Sequence, residues 1–116
     1  MKLQTEKGAI TIGSDVFTNI TGAAATNCFG VKGMAVRSKT DGLVHLLRRE
    51  SMAKGVKVYY NEDGTVSIEL HIIVDNGVNL TAVSRSIMSE VRYMVERITG
   101  TKVKSVDVCV DSMVIG

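Results

Sequence analysis

Four side chains in the C-terminal half stand out as candidate metal ligands: His71, Asp107, Cys109 and Asp111. Imidazole, thiolate and carboxylate together suit a borderline cation such as zinc. Yet His71 falls on one predicted strand and the other three on another, without a ligand pair at chelating spacing. The expectation is a solvated sheet face, with no metal and no cofactor. A second feature, Gly30-Val31-Lys32-Gly33, has the G-x-x-G spacing with which one class of RNA-binding domain clamps a nucleic-acid backbone. Such a clamp needs a helix after the second glycine. Val31 to Arg37 has no helical pattern and reads as a short strand, so the end of a helix followed by a strand is expected instead. His45 stands in an apolar stretch and no serine or cysteine sits in a nucleophile elbow. Phosphate-binding and dinucleotide-binding fingerprints are missing. Catalysis is not expected.

The remaining candidate is a contact surface. Between Arg37 and Lys57 lie six basic residues (Arg37, Lys39, Arg48, Arg49, Lys54 and Lys57) and two acidic ones, Asp41 and Glu50, in a chain of net charge +2. Guanidinium groups such as those of Arg48 and Arg49 pair bidentately with carboxylate or phosphate. The segment therefore suits an acidic protein partner, anionic headgroups or nucleic acid, or is simply solvated. Three Tyr, two Phe and no Trp leave little for stacking bases, which disfavours nucleic acid.

These residues need elements to position them. Gly8 to Ile12 alternates and predicts a first strand. Ser14 is read as the N-cap of a helix with Asp15 in its first turn, and Phe17, Ile20, Ala24 and Cys28 mark its face. Gly22 to Ala25 are small enough for close approach to a neighbour, and Gly30 suits a left-handed cap. Thr40 to Glu50 reads as a short amphipathic helix. Val56 to Tyr60 and Thr65 to Asp75 alternate on either side of Asn61-Glu62-Asp63-Gly64, which predicts a β-hairpin. Val66, Ile68, Leu70, Ile72 and Val74 form its inward side; Lys57, Tyr59, Glu69, His71 and Ile73 face outward. A long helix is bounded by Asn79 and Gly100 and striped by Leu80, Val83, Ile87, Val91, Met94, Val95 and Ile98. A last strand from about Lys102 puts Val106, Val108 and Val110 inward. The expected fold is α+β: a single domain over residues 1–116 in the order β-α-β-(short α)-β-β-α-β. Two main helices cover one face of a mixed, mostly antiparallel sheet.

A chain of 116 residues, 45% apolar and 22% charged, is long enough to bury a core without disulfides. Cys28 and Cys109 form no C-x-x-C pair and read as reduced cytosolic thiols. No apolar run suits a signal peptide, and the longest mostly apolar stretch, Ile68 to Val74, is too short to span a bilayer. Direct membrane insertion is not expected. Asn19-Ile20-Thr21 and Asn79-Leu80-Thr81 match the glycosylation pattern but fall in predicted helices.

Three stretches, "GAITIGSDVFTNITGAAATNCFGVKGMAV", "GVKVYYNEDGTVSIELHIIVDNGVNL" and "VRYMVERITGTKVKSVDVCV", taken in order, resemble the alkaline shock protein family, the envelope stress response proteins of Gram-positive bacteria. The piece "DGLVHLLRRESMAKGVKV" is similar to its compact, single-domain subgroup. The resemblance implies a non-catalytic cytoplasmic adaptor or regulatory protein that acts through protein–protein contacts and is linked to envelope stress and membrane or lipid homeostasis. It also implies recruitment to the inner face of the membrane through a separate, membrane-anchored protein partner, with self-association open. The alternative is a small nucleic-acid or nucleotide-binding module using residues 37–57.

Overall fold

The alternating hairpin is the centre of the molecule. The computed structural model describes residues 1–37, 44–46 and 54–114. In it, β5 (Val56–Tyr60) and β6 (Val66–Asp75) pair antiparallel, with Val56 opposite Leu70 and Tyr60 opposite Val66. The turn closes as its residues dictate. Gly64 takes φ 86°, and the Asp63 carboxylate accepts from the Thr65 amide at 3.0 Å and its hydroxyl at 2.6 Å. Those hydrogen bonds hold the Asp63 carboxyl below its ordinary value.

Parallel strands need a long crossover. α2 (Leu80–Thr99) supplies it, returning the chain as β7 (Val103–Val114), which lies parallel to β6 along its whole length. A strand has two edges, so the other edge of β6 is shared. β5 takes Val66–Leu70, and β3 (Val31–Arg37) takes Ile72–Val74 antiparallel. α2 has the predicted caps. The Asn79 side chain accepts from the Ala82 amide at 3.0 Å, and Gly100 adopts the left-handed conformation at φ 73°.

α1 (Ser14–Thr26) covers the same face beside α2. Gly22, Ala24 and Ala25 are buried, as the small-residue run anticipated. Two details differ from expectation. Gly13 holds the cap position, with Ser14 already helical and no side-chain cap bond; Asp15 still occupies the first turn. The helix ends at Asn27 in a right-handed conformation, while Gly30, at φ 90°, serves the turn into β3 instead of capping. Its carbonyl accepts from the Asp75 amide at 2.9 Å, tying that turn to the end of β6. Val31 onward is strand, so Gly30-Val31-Lys32-Gly33 makes no helix–helix clamp.

The core lies between the helices and the inward residues of the sheet. Phe17, Met34, Val66, Ile68, Leu70, Ile72, Val74, Ile87, Val91 and Val95 are fully buried, and Val106 nearly so. The predicted inward side of β6 is therefore correct throughout, whereas Val108 and Val110 are only half-buried. Tyr60 closes one end edge-to-face on Phe17, with centroids 6.0 Å apart.

Two expectations are corrected. The chain before Gly8 also forms a strand: β1 (Lys2–Thr5) pairs antiparallel with β2 (Gly8–Thr11) in a separate two-stranded sheet. Within the predicted short helix, Val44–Leu46 form strand β4, pairing antiparallel with Ala35–Arg37. The physical reason is the edge of β3, whose backbone N–H and C=O groups gain partners from an added strand. The rest of that predicted helix, residues 40–43 and 47–50, lies outside the described residues. The class stands: α+β, a mixed sheet with two helices on one face.

Candidate functional site

The parallel register of β6 and β7 decides what meets on the outer face. Glu69 stands beside Asp107, and His71 beside Cys109. On the other side of β6, Lys57 is opposite Glu69 and Tyr59 opposite Ser67. Because side chains alternate along a strand, Glu69 and His71 project from the same face two residues apart. The result is a cluster at the middle of the sheet. Ligand-type atoms of Glu69, His71 and Cys109 all lie within 4.8 Å of one another.

Asp111 completes the group. Its two carboxylate oxygens lie 3.0 and 3.2 Å from His71 Nδ1, and its side chain is only 13% exposed. The other ring nitrogen, Nε2, is 3.6 Å from Glu69 Oε2. The imidazole is thus held between two carboxylates. Partial burial pushes the Cys109 thiol above its ordinary value, and the negative charges of Glu69, Asp111 and Asp107 add to the shift, with Lys57 opposing it. Cys28 lies apart from this group. Its Sγ is 3.4 Å from the Ala24 carbonyl, and burial raises its thiol too.

These side chains do come from two strands, as expected, but β6 and β7 are neighbours, so the expectation that they are dispersed is corrected. His71, Cys109 and Asp111 come together; Asp107 acts on Cys109 by charge but is not in the close group. Glu69 was missed as a ligand type. The signal was present as Glu69-Leu70-His71, two chelating groups at the period of one strand face. The face is also less solvated than expected at its β3 end, where Ile73 and Ala35 are buried.

Of the basic candidates, Lys54 and Lys57 are exposed, and Arg37 ends β3. Lys39, Arg48 and Arg49 lie outside the described residues. A different surface feature escaped the sequence reading altogether. Phe29, in the turn between α1 and β3, is 91% exposed. Beside it runs a groove of about 470 Å³ lined by Gly30, Asp75, Val78, Ala82 and Val83 among others. Tyr93 and Ile98 on α2 are also half-exposed. No described helix is long and apolar enough to cross a membrane.

Comparison with known proteins supplies the lineage. Residues 2–115 match the alkaline shock protein 23 family, described by a cell envelope-related function. The chain is 33% identical over 114 residues to the uncharacterized protein YloU of Bacillus subtilis, covering 97% of this chain and 94% of that one. It is 34% identical over 114 residues to the uncharacterized protein Spy1614 of Streptococcus pyogenes, covering 97% and 93%. No solved structure matches. A match across nearly the whole chain, with relatives above 30% identity, means that this protein belongs to the alkaline shock protein 23 family, whose function is cell envelope-related.

Proposed function

We propose that the protein is a non-catalytic adaptor in the cytoplasm, linked to envelope stress and membrane or lipid homeostasis and working through protein contacts. The observation that carries this reading is Phe29. An aromatic ring held 91% exposed in a turn forgoes the burial that would stabilise it, and a partner's pocket restores that burial. Aromatic side chains of this kind, with arginines, are the usual anchors of protein interfaces. The basic segment supplies the arginines: Arg48 and Arg49 would meet carboxylates on the same partner, a membrane-anchored protein that brings the adaptor to the inner face of the membrane.

The test is quantitative cross-linking in living cells, comparing the parent with Phe29→Ser and with Arg48→Glu plus Arg49→Glu. Phe29 is exposed, so Phe29→Ser should cost only about half a kcal/mol, and thermal melts check that both variants fold like the parent. The expected result is loss of the same cross-linked membrane protein in both variants. Retention of every cross-linked partner in both would refute the reading. If the basic residues instead serve nucleic acid, the purified chain would bind RNA with an affinity that falls steeply with salt.

A further inference from the structure

The outer-face cluster of β6 and β7 has the composition and placement of a coordination site. We propose that Glu69, His71 and Cys109 form a solvent-facing site for a divalent cation of the zinc class, with Asp111 positioning the histidine. Four observations support it. The donor set is nitrogen, sulfur and oxygen, which suits zinc and its first-row neighbours and is foreign to calcium or magnesium. The ligand atoms already lie within 4.8 Å of one another. Bonds of about 2.0–2.3 Å set tetrahedral ligand atoms roughly 3.3–3.8 Å apart, so a contraction of about 1 Å at the widest pair completes the geometry. Those side chains are half-buried and retain the freedom for it, while their backbones are fixed by the His71–Cys109 pairing of parallel strands.

The fourth observation concerns orientation. With the proton on Nδ1, His71 donates to the Asp111 carboxylate at 3.0 Å and leaves the Nε2 lone pair free on the side of Glu69, 3.6 Å away. A carboxylate behind a histidine fixes both tautomer and ring orientation in metal sites. Asp111, with its side chain only 13% exposed, is held in that role by its own burial. Three protein ligands leave a fourth position for water on the solvent side. The rival account is a plain ion-pair cluster, in which a protonated imidazole simply bridges two carboxylates and binds no ion.

The experiment uses the untagged, reduced full chain titrated first with cobalt(II) alone, then with zinc(II) alone in competition with a chromophoric chelator. One cobalt ion per chain should appear with a thiolate-to-metal charge-transfer absorption, and zinc should displace it. Cys109→Ser should abolish that absorption and weaken zinc binding at least about tenfold, and Asp111→Asn should weaken zinc binding by about 10–100-fold. Cys28→Ser should change nothing. Thermal melts confirm that each variant folds, and His71→Gln gives the same affinity readout should Cys109→Ser fail to fold. Absence of the charge-transfer absorption in the parent, or zinc affinity unaltered by both Cys109→Ser and His71→Gln, would overturn the proposal and leave the ion-pair cluster.

Discussion

The two faces of β6 and β7 are made from the same residues taken alternately, yet they differ in almost every physical respect. On the inner face Ile68, Leu70, Ile72 and Val74 are fully buried against α1 and α2. On the outer face Glu69, His71, Cys109 and Asp111 are only partly covered; the first three bring ligand-type atoms within 4.8 Å of one another, and Asp111 hydrogen-bonds His71 at 3.0 Å. The inner residues interact through area and shape, which tolerate many sequences of the right volume. The outer ones interact through direction and charge, which depend on strand register to the residue. The lesson is that one backbone pairing fixes both, so the core holds the cluster in place.

The sharpest way to break this comparison is to alter neighbouring residues of opposite face. Leu70→Ala removes a fully buried side chain and should cost about 2–5 kcal/mol by denaturant unfolding. His71→Ala, one residue on, gives up a partly exposed hydrogen bond to Asp111 and should cost no more than about 1 kcal/mol. Equal costs would mean that the faces are not distinct. A reversed order would mean that the strand register is wrong.

The inner layer also depends on one backbone conformation. Gly30 has φ 90°, and an added Cβ would lie 3.0 Å from Val78 Cγ1 and 3.1 Å from Val83 Cγ2. Gly30→Ala should therefore destabilise by more than about 1 kcal/mol, while leaving zinc affinity at the outer cluster unchanged. A neutral melting temperature would show that the turn relaxes freely.

A smaller effect, of opposite sign, sharpens the account of the inner face. Thr21 is fully buried and its hydroxyl has no hydrogen-bond partner among the described residues. Replacing an unpaired hydroxyl by a methyl of similar shape removes a desolvation penalty, so Thr21→Val should stabilise by up to about 1 kcal/mol. A clear loss of stability would reveal a hydroxyl that is paired in solution.

Much of this molecule could be read from its residues, and the limits follow from the kind of information involved. The hairpin, α2 with Asn79 and Gly100 as its caps, and the inward side of β6 were legible because each is written locally, in periodicity and turn chemistry. The Val44–Leu46 strand was not. A run as short as Val44-His45-Leu46 fits a helix as well as a strand, and only the edge of β3 decides. The outer cluster was half legible. Its residue types were visible, but their meeting depends on His71 lying beside Cys109, a pairing of residues separated by the whole of α2. Phe29 was illegible for a plainer reason: nothing in an aromatic residue's identity says that its turn will hold it in solvent.

The division of labour between the faces is tested most directly by melting the parent, Leu70→Ala and Cys109→Ser with and without zinc. A ligand that binds only the folded chain stabilises it by about 2.7 kcal/mol at a hundredfold excess over its Kd, whatever the starting stability. Zinc should raise the parent and Leu70→Ala by the same free energy and stabilise Cys109→Ser by about 1.4 kcal/mol at most, half the gain of the parent or less. A parent that zinc does not stabilise, or a Cys109→Ser variant that gains as much as the parent, would contradict the account.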